Sequence, residues 1–552
     1  MNRRHFVRLV GIGLNSVYLG GLLENFSGCT PSLKIKNTDD FLEKISPFDR
    51  HSPSELGFML SEDSPEFPHE VLRNKKKWLT LAELQSKDLV PEEVDLAIIG
   101  GGMSGLLSAH FLQNHKIILL EQAKRIGGNA KGSHWHGIDY SLATTYFSAP
   151  QPNSEIYKFF QATGLLNKLK YRKEHDPLAI ENHWYPEFWF QGTVPESRPQ
   201  FQRMRTHFEQ MLNHENGLVY PDIPIPENIS FEDRKKIETL DQISLNSYLE
   251  QVISGPLHPH LKDYTEHYCW DAFGASSTEI SAAHGLNFLV SEYKSTAYFP
   301  GGNAAIGEKI IQLLLKKINP PSIRPSSVVF DVQVKSDHVL ASYLTHQHQI
   351  IRVKAKAAIL ACPKFVATHL IDHLEMERHQ AIKSLKYRSF IVANLLIQQK
   401  LNHSFFEAFL SKNITTGDDT KRDSHHQGFI NITNACSSYE NSPVSVLTLY
   451  RPFPYDSGRK ELFNLDEVSL KKIFEKQIYQ EILPLLNISR KNLVGIKMTR
   501  WGHGMPVAQI GNISSGKIDI LRKPFKDRIF FVEQDNWTLP AFETAFYEAQ
   551  YW

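Results

Sequence analysis

The sequence predicts an α/β protein: a Rossmann-type dinucleotide-binding domain assembled from discontinuous stretches of chain, joined to an α+β domain. Three observations predict it. The apolar run 94–99 ends in Gly100-Gly101-Gly102-Met103-Ser104-Gly105, a Gly-x-Gly-x-x-Gly turn. A second apolar run, 117–120, ends in Glu121 and Gln122. A basic, glycine-rich loop follows at Arg125-Ile126-Gly127-Gly128-Asn129.

Each position has a physical task. Gly100 permits a sharp turn, Gly102 lets the backbone approach a pyrophosphate, and Gly105 lets the helix pack close to its strand. Met103 and Ser104 open that helix, whose first N–H groups and positive dipole end attract phosphate. Glu121 stands about 20 residues past the turn, where a carboxylate meets the ribose hydroxyls, with Gln122 beside it. The alternative, a glycine-rich turn in some other α/β protein, does not call for this strand, helix and acid together. Nor do nicotinamide enzymes need the loop at 125–129. Flavoproteins use it: an arginine faces phosphate charge, and paired glycines let backbone pass near the cofactor. The cofactor expected is therefore FAD.

Two distant regions extend the pattern. Tyr298-Phe299-Pro300-Gly301-Gly302-Asn303 leads into an apolar-periodic helix at 305–318, followed by strands at 328–332 and 356–361. Near the C-terminus come a strand at 528–532, then Asp535 and Pro540-Ala541-Phe542-Glu543-Thr544-Ala545. In this order they resemble the superfamily of flavin-containing amine oxidases, protoporphyrinogen oxidases and phytoene-type desaturases, over residues 91–150, 296–370 and 497–552. The resemblance implies that Gly100, Gly102, Gly105, Glu121, Arg125, Gly127 and Gly128 hold the ADP half of FAD. It implies that backbone at Val329 meets the adenine, with Val328 one register away. Asp535 would meet the ribityl or pyrophosphate part, and the helix starting near Phe542 would point its N-terminus at the flavin O2/N1 side.

The chain also departs from the family pattern. Phe531-Val532-Glu533 stands where the family has Phe-Ala-Gly, and Glu543-Thr544-Ala545 where it has Glu-Gly-Ala. The paired aromatic rings of amine oxidases fall near Gly504 and Ala541. Their lysine falls in Phe390-Ile391-Val392-Ala393-Asn394, which has none. Simple amine oxidation thereby loses two markers.

Composition fits two or three domains with a sizeable core: 552 residues, 41% hydrophobic and 22% charged. A net charge of +1 gives no basic field for nucleic acid. Four cysteines, scattered, argue against a disulfide framework. No Cys or His cluster has metal-ligand spacing, and His258, His260, His425 and His426 read as surface loops, so no metal is expected.

Residues 1–29 carry a separate message. Arg3 and Arg4 precede a short, modestly apolar stretch at 9–23, which reads as a twin-arginine export signal, the alternative being a basic helix retained in the cytoplasm. Export of folded protein suits an enzyme that must load FAD first, and implies a periplasmic location and the twin-arginine machinery as partner. Phe26-Ser27-Gly28-Cys29 resembles a lipoprotein processing box; lipidation of Cys29 would anchor the protein to the membrane, and cleavage elsewhere is the equal alternative. Residues 30–90, polar and carrying Pro31, Pro47, Pro53, Pro65 and Pro68, read as a tether and an extension wrapped on the flavin domain.

Residues 151–295 and 371–496 are expected to form the substrate domain. His134 and His136 sit at strand spacing on one side, as substrate contacts or, more simply, structural groups. The aromatic cluster at 268–274 either lines a pocket or fills a core. In the family an aromatic segment before the last strand runs beside the flavin, so Trp501 and His503 are the candidate catalytic residues, a ring and a general base near pKa 6.5; a glycine-rich turn with a packed Trp is the plain alternative. The expected activity is FAD-dependent oxidation of a small-molecule substrate, a C–H hydride passing to flavin N5 to give a C=N or C=C bond, with amine oxidation and desaturation of a cyclic or isoprenoid compound both open and oxygen or a quinone as final acceptor. A flavin-binding assembly protein without turnover and a redox-neutral flavin isomerase are the alternatives.

Overall fold

A computed structural model describes residues 38–50, 57–62, 66–85, 90–172, 176–180, 182–318, 322–403, 405–411, 428–439 and 441–552. The twin-arginine stretch, Cys29, and His425 with His426 lie outside the described residues.

Five strands form the parallel heart of the first sheet, in the order Ile323–Arg324, Ile117–Leu120, Glu92–Ile99, Ile350–Leu360, Ile529–Phe531. Ile98 faces Leu119 on one side and Ile359 on the other. These strands are covered on both faces, which is why they read as unbroken apolar runs rather than alternating ones. Strand Ile350–Leu360 belongs to two structures. Its first half closes an antiparallel meander with Val339–Thr345 and Ser327–Val334, and its last three residues pair with Ile529–Phe531. Helices Met103–Phe111, Ala304–Leu314 and Phe542–Tyr551 pack into one core through Leu106, Leu107, Ile306, Ile310 and Phe546, all buried.

The second sheet has eight strands. At its centre Tyr387–Ile397 lies between Ser445–Phe453 and Leu493–Pro506, with Asn394 opposite both Thr448 and Lys497. Helices Arg198–Leu212, Leu245–Ile253, Pro259–Phe273 and Ala282–Lys294 share a further core. Their ends follow local chemistry. Ser244 accepts the N–H of Ser247, Pro259 occupies the first turn, and Gly274 closes its helix in the left-handed conformation.

One boundary differs from the sequence expectation. Leu493–Pro506 is a strand of the second sheet, so the chain returns to the dinucleotide-binding unit after Pro506 rather than at 497. The extension is built into the molecule at three points. Phe48–Asp49 pairs with Gly132 and Ser133, and Phe58–Glu62 adds an edge strand beside Leu493–Pro506. Val71, Trp78 and Ala82 of helices Glu66–Arg73 and Lys75–Leu84 pack on Val328, Phe330 and Leu344. Among the described residues, no helix is long and apolar enough to cross a membrane.

Candidate functional site

One cavity of about 1470 Å³ runs from the Gly100–Gly105 turn to the second sheet. Its floor is set by glycines that admit no side chain. A Cβ on Gly100 would lie 2.4 Å from the Ala361 carbonyl oxygen, and one on Gly105 1.9 Å from that of Gly100. A Cβ on Gly128 would lie 2.9 Å from Gly102 Cα, where Gly102 and Gly127 bridge as parallel strands. Helix Met103–Phe111 starts here with no side-chain cap, so its first N–H groups remain for an anion. Gly102, Met103 and Ser104 line the cavity, as do Glu121 and Gln122. The Glu121 carboxylate accepts the N–H groups of Gly101 at 2.6 Å and Ala123 at 2.8 Å, which fixes it on the wall. Val328 and Val329 line the same cavity. A glycine cradle that a Cβ would fill, an uncapped helix and a wall carboxylate fit the ADP half of FAD.

Arg125 lines the cavity as well, but its guanidinium is turned to the extension. It donates to the carbonyls of Glu43 at 3.0 Å and Phe48 at 2.8 Å and pairs with Asp49 at 3.2 Å. Asn129, two residues past Gly127, donates to the Gly504 carbonyl at 2.5 Å, tying the loop to the strand that crosses the cavity. Asp535 is buried on the wall, where its carboxylate accepts the Lys364 N–H at 2.9 Å and the Tyr387 hydroxyl at 2.5 Å. Phe542 begins helix Phe542–Tyr551, again without a side-chain cap, and Ala541, Phe542 and Glu543 line the cavity at that end.

Glu533, the residue in place of the family's glycine, is buried with its carboxylate 2.7 Å from the Lys364 ammonium. Burial pushes this carboxyl up to about 8 and pushes Lys364 down. The lysine also donates to the Leu521 carbonyl and lies 4.2 Å over the Phe531 ring.

Trp501 and His503 both reach the cavity wall. Trp501 is buried, with its indole N–H donating to the Leu142 carbonyl at 3.0 Å. His503 stacks on Phe365 at 4.3 Å. The expectation of a base near pKa 6.5 does not hold: burial, with the charges of Arg459 and His69, pushes the imidazole down to about 3. A ring so shifted is neutral at physiological pH and a weak proton acceptor. Its folded form binds a proton less readily than the unfolded chain does. The stability it contributes is therefore complete above pH 6.5 and is lost as pH falls toward 3. His503→Phe is expected to lose less thermal stability than wild type over that range; equal losses would show the ring to be unshifted.

His134 and His136 part company. His134 is in strand Gly132–Trp135, its ring 2.8 Å from Asp139. His136 occupies the hairpin turn at φ 46°, against the Trp135 ring, because a two-residue loop, His136–Gly137, closes the hairpin with both residues left-handed. Neither lines the cavity. The cluster at 268–274 is divided by its helix: Tyr268, Cys269, Trp270 and Phe273 are buried, while Asp271 and Ala272 face the cavity.

The structure adds residues that the sequence reading passed over. Lys497 lines the cavity, with its ammonium 3.1 Å from the Ser133 hydroxyl. It stands opposite Asn394, so the neighbouring strand supplies a lysine where Phe390–Asn394 has none. A lysine between the apolar residues Ile496 and Met498 was the available signal. At the far end, one Asn431 amide donates to Glu407 at 2.6 Å and to Asp271 at 3.0 Å. Beside these two cavity-lining carboxylates, the Tyr450 hydroxyl donates to the Ala143 carbonyl at 2.8 Å. Gly504 and Ala541 both line the cavity, and neither carries a ring. Among the described residues, no group of His, Cys, Asp or Glu could hold a metal.

The family model described as flavin containing amine oxidoreductase matches residues 103–531. The oxidoreductase PigB of Serratia sp. is 23% identical over 509 residues, covering 82% of this chain and 73% of its own. A putrescine oxidase variant superposes with a TM-score of 0.60 at 14% identity, over 84% of this chain and 98% of its own. Cyclohexylamine oxidase from Brevibacterium oxydans gives 0.58 at 12%, over 83% and 99%. With the glycine cradle, the uncapped helices and the Asp535 wall in place, the chain belongs to the flavin-containing amine oxidoreductase family and is an FAD-dependent oxidoreductase.

Proposed function

We propose that this enzyme oxidises a bulky organic substrate, cyclic or branched, that carries an N–H beside the C–H bond being broken. The observation that carries the reading is the size and division of the cavity. At about 1470 Å³ it exceeds the roughly 300–1,000 Å³ of an ordinary ligand pocket. Beyond the part suited to FAD it continues between apolar walls of Phe390, Val392 and Phe288 to the polar end at Asp271, Glu407 and Tyr450. With glycine at 504 and alanine at 541, no aromatic ring projects into the cavity from either position, which favours a broad molecule over a slender alkyl amine. A carboxylate offers about four acceptor directions, so holding Asn431 is compatible with also orienting a substrate N–H.

Bound FAD supplies a two-electron hydride acceptor. The substrate C–H gives up hydride, the N–H gives up a proton to solvent, and a C=N bond results. Oxygen or a quinone then takes up the two electrons, with two protons, as hydrogen peroxide or quinol. The chain's part is to orient the substrate and exclude water.

The test is anaerobic. Cyclic secondary amines are expected to bleach the flavin absorption of the purified protein, with colour returning on admission of air or a quinone. Asp271→Asn with Glu407→Gln is expected to raise KM by about tenfold or more, the worth of a charged hydrogen bond. A flavin that no nitrogen-bearing donor bleaches would sink the reading.

A further inference from the structure

We infer that a cationic latch from outside the dinucleotide-binding unit closes over the cofactor's diphosphate: Arg73 of helix Glu66–Arg73 and Arg459 of helix Gly458–Asn464, with His69 in the field of both. The inference rests on FAD occupying the cavity.

Three observations lead to it. First, Arg73, His69 and Arg459 share the cavity wall. They are like charges gathered together: Arg73 and Arg459 both disfavour a proton on His69, and Arg73 disfavours the charge of Arg459. Among the described residues, neither guanidinium has a carboxylate within ion-pair distance.

Second, the position is that of the middle of a bound dinucleotide. Helix Glu66–Arg73 packs on strand Ser327–Val334, whose Val328 and Val329 line the nucleoside end. Helix Gly458–Asn464 packs on Tyr387–Ile397 and Leu493–Pro506, the strands at the flavin end, where Gly504 is held by Asn129. His503, which feels Arg459 and His69, stacks on Phe365. That ring stands just past the Ala361–Cys362 backbone against which Gly100 is pressed. The cations therefore reach one cavity wall from the element at the nucleoside end and from the elements at the flavin end.

Third, the arginine that the glycine loop offers for this task is directed elsewhere. Arg125 donates to the carbonyls of Glu43, Ser46 and Phe48 and pairs with Asp49. A diphosphate carries two negative charges, and cations from the extension and from the second domain would meet them. The extension then has a role in cofactor retention, because a segment bound along the meander brings a charge to the phosphates.

The test compares FAD with riboflavin, which has no phosphate, using flavin fluorescence quenching on full-length protein stripped of cofactor. Wild type should bind FAD with an affinity that falls as salt rises. Arg73→Gln with Arg459→Gln should weaken FAD binding by about tenfold or more and flatten the salt dependence, while riboflavin affinity stays unchanged. The Arg73→Lys, Arg459→Lys pair should restore most of the loss and shows that the fold tolerates change at both positions. Unchanged FAD affinity in the glutamine pair overturns the latch, even if turnover falls, since the cluster would then serve an anionic substrate. An equal loss for FAD and riboflavin overturns it as well, because the effect would not depend on phosphate. If wild type binds no FAD under any condition, the cofactor assignment fails, and that result is separate from the variants.

Discussion

Gly105→Ala is expected to yield a protein that is destabilised by at least about 3 kcal/mol and purifies without flavin. The added methyl would lie 1.9 Å from the Gly100 carbonyl oxygen, a backbone atom that cannot swing aside. Relief requires helix Met103–Phe111 to move off strand Glu92–Ile99. That movement opens the Leu106 and Leu107 packing and displaces the uncapped N–H groups from the phosphates. Gly102→Ala provides the contrast. Its φ of −72° suits any residue, and the nearest atom to its Cβ would be Gly128 Cα at 3.7 Å, an ordinary contact. This variant is expected to keep its melting temperature and lose flavin affinity only, since its methyl intrudes on the cradle and not on the protein. Melting curves with flavin absorbance on both variants decide the point. A Gly105→Ala protein that is yellow and as stable as wild type would mean that the glycine turn does not have the geometry described.

Lys364→Met is expected to be destabilising, most strongly above about pH 8, because without the ammonium the buried Glu533 carboxylate is left uncompensated once it ionises. The stranded group is Glu533, fully enclosed beside Asp535. Adding Glu533→Gln should recover most of the loss, since a neutral buried pair carries no such penalty. The pH dependence follows from the direction of the shift. Burial raises the Glu533 carboxyl from an ordinary 4.5 to about 8, so the folded form holds its proton more tightly than the unfolded chain. Stability from this group is full below pH 4.5 and declines as pH rises to about 8. In wild type Lys364 restrains the shift by its opposite charge. In Lys364→Met the decline should run on to higher pH than in wild type, because the restraint from the lysine is gone, and in the double variant it should vanish. Melting temperatures followed from pH 4.5 to well above 8 test both statements; a decline that ends at the same pH in wild type and Lys364→Met would show that the pair does not interact. The departure Phe531-Val532-Glu533 thus has a local answer, a lysine from the next crossover that the sequence alone does not connect to it.

Much of the fold was legible because its elements are local and their chemistry repeats. Gly100, Gly102 and Gly105 with Glu121 announce a βαβ unit, since each answers a steric or hydrogen-bonding demand of that turn. Asp535 and Phe542 were found through resemblance, and both reach the cavity wall. Alternation assigns His136 to a strand, whereas the two-residue loop His136–Gly137 closes the hairpin and takes positive φ at both positions. His503 was placed on the wall, yet its proton affinity was not foreseen, because desolvation depends on Phe365, Arg459 and His69, all distant in sequence. Lys497 went unnoticed for a related reason: it enters the cavity from the strand beside the one where a lysine was sought.

The sequence by itself determined the dinucleotide-binding unit and the class of its cofactor. Turn sterics, capping and unbroken apolar runs act over a few residues and leave a readable pattern. Only the tertiary structure decided which charges meet. It turned Arg125 from phosphate to the extension, joined Lys364 to Glu533, gathered Arg73 and Arg459 on one wall and brought Asp271 to Glu407 through Asn431. Electrostatic partners and burial depend on distances between residues hundreds of positions apart, and no local periodicity encodes them.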